Sequence, residues 1–201
     1  MISTQMHCTG LEIAMDMPEL KIRLPDWLLE KLSGDWVPLH GDEAQMRFVI
    51  SLARENVTQG SGGPFGAAVF DADGQLVAPG LNLVTSSRCS ILHAEMVAMA
   101  LAQKRLDNHD LSDGGRLHHT LVTSAEPCAM CLGAIPWSGV SRVVCGARDE
   151  DVREIGFDEG AKPDHWAETL TRRGIQVQRD VLRPEATQIL QAYVESGGAI
   201  Y

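Results

Sequence analysis

The sequence predicts an α/β domain of three layers, with a five-stranded mixed sheet between helices on both faces. Two patterns point to it. A glycine-rich loop at residues 60–64 leads into a strand at 65–70, which Asp73-Gly74 turns back as a hairpin into a second strand at 76–84. From residue 93 onward, helical stretches alternate with short apolar strands at 120–123, 141–147 and 175–179, the order that covers a sheet on both faces. With 201 residues, 44% of them hydrophobic and 22% charged, the chain has enough apolar material for one such core. No internal repeat or low-complexity run divides it. We therefore expect one domain over 41–201 with a tail at 197–201, and an extension over 1–40 that packs onto it.

Each element has its own signals. Residues 1–10 are expected to be poorly ordered, as termini commonly are. Pro25 to Leu32 reads as a short helix capped by Asp26 and ended near Gly34. Trp27 and Trp36 are read as packing the extension onto the domain. Asp42 caps a second helix, in which Met46, Val49, Ile50, Ala53 and Val57 share one face. The Pro79-Gly80 pair inside the second strand marks a bulge or a sheet edge. His93 precedes a helix running to about Leu106, and Pro127 opens another that ends near Gly139. A short helix follows at 149–155, then one at 164–173 stopped by Gly174, and Pro184 opens the last, to about Glu195.

Two stretches carry the chemistry. His93-Ala94-Glu95 and Pro127-Cys128-Ala129-Met130-Cys131 read H-x-E followed by P-C-x-x-C. One imidazole and two thiolates form a donor set that suits Zn²⁺. Three is the informative number: a structural zinc is closed by four protein ligands, whereas a catalytic one keeps a position for water. Cys128 and Cys131, three apart in a first helical turn, lie on one face where the helix dipole favours thiolates. Glu95, two residues from His93, leaves that ligand's line along a helix and is expected to carry a proton between water and substrate. The competing reading, a zinc-structured binding module, needs a fourth ligand, for which Cys89 and Cys145 are the candidates.

Composition excludes several functions. A net charge of −10 argues against a phosphate-binding surface, and so against a nucleic-acid partner. Residues 60–64 lack the GK[ST] or G-x-G-x-x-G parts of a phosphate cradle. Residues 1–17 carry no Lys or Arg and no long apolar core, so they do not read as a signal peptide, and no apolar run reaches transmembrane length. The cytoplasm is the expected compartment. Of the cysteines outside the motif, Cys8, Cys89 and Cys145 show no disulfide framework.

The H-x-E and P-C-x-x-C pairing is an established signature of zinc deaminases, and the chain resembles the cytidine deaminase-like superfamily. Within it the chain is most similar to the bacterial guanine deaminases, through Gly63-Pro64-Phe65-Gly66-Ala67, Gly80-Leu81-Asn82-Leu83-Val84, Cys131-Leu132-Gly133-Ala134-Ile135-Pro136-Trp137 and Ile155-Gly156-Phe157-Asp158-Glu159-Gly160. The resemblance implies one Zn²⁺ per subunit on His93, Cys128 and Cys131, with Glu95 and Glu159 as proton carriers. It implies Asn82, Phe65, Ala94 and Trp137 around the substrate, and a C-terminal tail that crosses to a partner subunit so that Tyr201 covers its site in a domain-swapped homodimer. The implied reaction is hydrolysis of guanine to xanthine and ammonia, with ammeline as a further substrate. Alternatives of the same class are another triazine, cytosine or an adenosine in tRNA.

Bland readings stand beside these. Asn82 also reads as a residue that only satisfies strand-end backbone groups, and Glu159 as one more solvated acid. Phe157 reads as core, and His109, His118 and His119 as structural or exposed. The segment before about residue 40 is longer than in the smallest relatives.

Overall fold

The computed structural model describes residues 18–201, so the expectation for residues 1–10 lies outside the described residues. Its sheet has the order β2-β1-β3-β4-β5. The hairpin of β1 (Gly66–Phe70) and β2 (Leu76–Leu81) is antiparallel, and β1 also pairs antiparallel with β3 (Thr120–Ala125). From β3 the sheet continues parallel through β4 (Arg142–Ala147) to β5 (Gln176–Gln178). The helices are α1 (Asp26–Lys31), α2 (Asp42–Thr58), α3 (Val84–Ser87), α4 (Ala94–Leu106), α5 (Ala129–Ser138), α6 (Asp149–Glu154), α7 (Trp166–Thr171) and α8 (Arg183–Glu195).

The alternation of side chains along each strand feeds two cores. Ala67, Val69, Leu121, Val143 and Cys145 face α4, α5 and α7, where Ala98, Met99, Leu132, Ile135 and Trp166 meet them. Their neighbours Ala68, Phe70, Val122 and Val144 face α2 and α8, against Met46, Val49, Ile189 and Leu190. The inner strands are therefore buried on both faces, as a sheet covered by helices on both sides requires. Gly80 lets α4 lie directly on β2, since a Cβ there would stand 2.0 Å from the Ala94 carbonyl oxygen. A third cluster gathers Leu28, Leu52, Leu81, Leu83, Leu92 and Val97 beneath the edge strand. No helix among the described residues is long and apolar enough to cross a membrane.

Several boundaries differ from expectation, each for a local reason. Pro25, not Asp26, caps α1, its carbonyl accepting from the Leu28 amide at 3.0 Å, and Asp26 pairs with Arg23 at 3.1 Å. Gly41 (φ 83°) caps α2, and Asp42 sits inside the helix because its carboxylate is claimed by Arg142. Pro127 stands one residue outside α5, whose cap is Cys128 itself. The second strand stops at Leu81, where the chain turns into α3. Pro79-Gly80 does lie on an edge strand, while the register shift falls in β1 between Val69 and Phe70. His109 and His118 are exposed, and buried His119 places Nδ1 2.7 Å from the Leu111 carbonyl.

The Asp42–Arg142 pair ties α2 to β4 with two contacts, at 2.6 and 2.7 Å. The Arg142 guanidinium holds the Asp42 carboxyl below its ordinary value. Both side chains are about a third exposed, which screens the pair, so Asp42→Ala is expected to cost about 1–2 kcal/mol at pH 7. That loss lowers Tm by roughly 3–6 °C for a chain of this size. Asp42 stabilises the fold above the unfolded-state carboxyl pKa of about 3.9, and the contribution disappears as pH falls through the lower folded value. Melting curves of the two proteins should therefore converge on acidification. Equal Tm at pH 7 would show that the pair contributes nothing.

Candidate active site

The two motif stretches meet because both head helices that start at the same end of the sheet. His93 caps α4 and Cys128 caps α5, each in extended conformation (φ −68° and −65°), and Cys131 lies one turn into α5. The positive ends of both helix dipoles thus point at one place. The donor atoms of His93, Cys128 and Cys131 all lie within 4.8 Å of one another. A tetrahedral zinc with nitrogen at about 2.0 Å and sulfur at about 2.3 Å sets two ligand atoms about 3.5 Å apart. Cys128 Sγ and His93 Nδ1 stand 3.4 Å apart, so these residues fit the ion.

The group has three members. Cys145, one of the two cysteines a closed site could recruit, is buried among the apolar residues of β4 and its neighbours. Cys89 packs at the margin of the cluster beneath β2. The Cys131 thiol beside it, with the His93 ring, holds the Cys128 pKa down to about 4, making it the ready thiolate of the pair.

A cavity of about 280 Å³ opens beside this group, reached by Phe65, Asn82, Glu95, Phe157, Glu159 and Tyr201. Glu95, in the first turn of α4, is buried, and that burial raises its carboxyl pKa, with the Cys128 charge adding to the effect. Glu159 comes from the loop after α6, and burial, then the Cys128 charge, pushes its pKa up to about 8. Its Oε2 is buried with no hydrogen-bond partner, and its backbone carbonyl accepts from the Ala129 amide at 2.9 Å. The loop is thereby fastened to the first turn of α5. Asn82 Oδ1 accepts from the Val84 amide at 3.3 Å, and it also accepts from the Tyr201 hydroxyl at 2.6 Å across the cavity. Phe157 belongs to the core yet reaches the cavity, edge-on to Phe65 at 5.1 Å and to Tyr201 at 5.3 Å.

Two expected substrate contacts stand away from this cavity. Trp137 is 81% exposed at the far end of α5, in a separate groove with Met96, Met99 and Ala134, because its helical position points it outward from the ligand turn. Ala94 is buried under Gly80 rather than on the cavity wall. Within the single chain the tail turns back: the Tyr193 hydroxyl donates to the Ala199 carbonyl at 2.8 Å, and Gly198 lies so close to the Tyr193 ring that a Cβ there would be 2.4 Å from it. That turn carries Tyr201 over its own cavity.

Two residues escaped the sequence reading. Glu126, its side chain 1% exposed, accepts from Arg179 at 2.6 Å and from the Asp149 amide at 3.2 Å. Lys162, its side chain 5% exposed, donates to Asp149 at 2.7 Å and to the Pro127 carbonyl at 3.2 Å, just ahead of Cys128. Glu126 stands inside the Ala-Glu-Pro-Cys run and was legible as a charge beside a ligand. Lys162 gave no signal.

Residues 39–147 match the cytidine and deoxycytidylate deaminase zinc-binding region. The chain belongs to this deaminase family. Its zinc ligands and both helix caps fall inside the matched span, whereas Glu159 and Tyr201 lie beyond it. The chain is 42% identical to the guanine deaminase of Bacillus subtilis over 117 residues, 58% of this chain and 71% of that one. It is 32% identical to the tRNA-specific adenosine deaminase of Haemophilus influenzae over 158 residues, 77% of this chain and 83% of that one. A solved structure of guanine deaminase from Nitrosomonas europaea is 47% identical and superposes with a TM-score of 0.82, covering 87% of this chain and 96% of that one. The family and the donor set together make this a zinc-dependent aminohydrolase.

Proposed function

We propose that the protein hydrolyses guanine to xanthine and ammonia. The observation that carries this reading is the pair of buried carboxyls, Glu95 and Glu159, facing one cavity beside a three-ligand metal group. The higher identity to guanine deaminases than to the tRNA-specific relative supports the choice of ring, and the charge of −10 weighs against a tRNA partner.

Zinc, when bound on His93, Cys128 and Cys131, supplies the Lewis acid that makes water a nucleophile near neutral pH. The chain's own residues do the rest. Phe65 and Phe157 flank the flat ring, Asn82 presents its amide to the ring's polar edge, and Tyr201 closes the cavity against bulk water. Glu95 takes a proton at its carboxylate and gives it to the ring nitrogen beside C2. Glu159, whose burial favours the protonated carboxyl, passes a proton to the departing amino group. Water and guanine thus give xanthine and ammonia with all atoms retained.

Self-association belongs to the same reading: the exposed Trp137, beside Met96 and Met99, supports a homodimer face, and exchange of the C-terminal tails between the two chains, a domain swap, would keep Tyr201 as the lid of each cavity. Thiolates committed to a metal suit the reducing cytoplasm, where the reaction would serve purine breakdown.

The test is ammonia release from guanine, ammeline, cytosine, adenine and their nucleosides, with zinc-stripped protein as control. Guanine is expected to show the highest kcat/KM. Turnover of cytosine or of a tRNA adenosine with guanine inert would overturn the proposal. Glu159→Gln is expected to lower kcat for guanine about 100-fold with KM within a few-fold, as general-acid loss does. An unchanged kcat returns Glu159 to the solvated acids.

A further inference from the structure

The segment before residue 40 takes no part in the chemistry above, yet buried groups connect it to the substrate pocket. Asn56, in the last turns of α2, is completely buried. Its Nδ2 donates to the backbone carbonyls of Gly63 at 2.8 Å and Asn82 at 2.9 Å. Its Oδ1 accepts from the Ser61 hydroxyl at 2.9 Å, and that hydroxyl oxygen accepts from the Trp27 indole N–H at 3.1 Å. The side-chain amide is thus engaged at both ends, by the 61–63 loop and by Asn82. There is no slack between them: a Cβ on Gly62 would lie 1.9 Å from the Asn82 carbonyl oxygen and 2.8 Å from Asn56 Nδ2.

Packing repeats the connection. Leu28, next to Trp27, is completely buried with Leu81, Leu83, Leu92 and Val97, which bracket the stretch from Asn82 to His93. The Leu83 amide closes that stretch by donating to the Leu92 carbonyl at 2.9 Å. One hydrogen-bond chain and one apolar cluster therefore join α1 to the residue that faces the ring and to a metal ligand.

The geometry points to Asn56 as the positioning residue for Asn82, with Trp27 of the N-terminal segment acting on it through Ser61, so that this segment sets how tightly the substrate ring is held. The inference rests on the role proposed above for Asn82. Its physical basis is that a buried amide with its donors satisfied has one low-energy placement, and a displacement of about 1 Å in a positioning group is felt strongly in activity.

Two substitutions in the zinc-loaded full-length chain test it. Trp27→Phe keeps an aromatic ring and removes the indole N–H. Asn56→Asp keeps the shape and sets a carboxylate against two carbonyl oxygens. Loss of one hydrogen bond corresponds to about a fivefold rise in KM for guanine in Trp27→Phe, and Asn56→Asp is expected to exceed it. In both, kcat and zinc content should stay near wild type. In an Asn82→Ala background Trp27→Phe should raise KM no further, the signature of a shared path. Asp42→Ala, which lowers stability far from the pocket, should leave KM unchanged. Amide hydrogen exchange at residues 82–84 should quicken in Trp27→Phe and Asn56→Asp and stay at the wild-type rate in Asp42→Ala. Unchanged exchange at those amides overturns the inference, and so does an unchanged KM where guanine is turned over. Should the wild type leave guanine untouched, the substrate reading fails and the exchange measurement alone decides the positioning role.

Discussion

Glu95→Gln is expected to lower kcat for guanine by about 10²–10⁴-fold, the range general acid–base groups contribute, while zinc stays at one ion per chain. Gln preserves the volume of a buried side chain in the first turn of α4 and removes only its capacity to exchange a proton. Among the described residues no other buried carboxyl at the cavity replaces it: Glu159 approaches from the loop after α6 and is proposed to serve the departing amine, and Glu126 is held by Arg179. The sign of the stability effect is informative as well. Burial raises the Glu95 pKa, so its contribution favours the fold below the unfolded-state value and is lost as pH rises through the folded one. In zinc-stripped protein Gln should therefore leave Tm at neutral pH unchanged or raise it. Steady-state rates, metal analysis and a melting curve on one preparation check all three, and a variant that keeps most of its rate would remove Glu95 from the mechanism.

Cys131→Ala is expected to abolish both zinc retention and turnover. Cys131 is completely buried one turn into α5, with no further cysteine among the described residues placed to take over its position. A two-ligand remnant holds zinc weakly, and because metal binding stabilises the native chain alone, Tm should fall together with zinc content. Chelator-treated wild type should match the variant in rate and Tm, and added zinc should restore the wild type but not the variant. Stoichiometric zinc and normal turnover in Cys131→Ala would show that the ligand set is wrong.

The helix-capping signals illustrate how local cues were outweighed. Asp26 and Asp42 both read as caps, yet Asp42 is claimed by Arg142, 100 positions away. The same distance in sequence hid the supports of the site. Asn56 reaches Asn82 across 26 positions and Arg179 reaches Glu126 across 53, and no period or spacing announces such pairs. Tyr201 was legible as an aromatic ring after two glycines, but the direction of the tail was not. That direction depends on Gly198 fitting flat against the Tyr193 ring. Ala94, between His93 and Glu95, and Trp137, at the far end of the helix that begins after Cys128, face elsewhere, because a helix points its successive side chains in different directions.

What the amino-acid sequence determined by itself was whatever depends on short-range spacing: the three metal ligands, the acid two residues from His93, the hairpin, and the alternation that makes a sheet covered on both sides. Only the tertiary structure decided which edge the hairpin occupies and which acid and amide reach the cavity. The physical reason is that ligand spacing and side-chain periodicity are properties of one turn or one strand. Burial, charge pairing and closure are properties of segments brought together from across the chain.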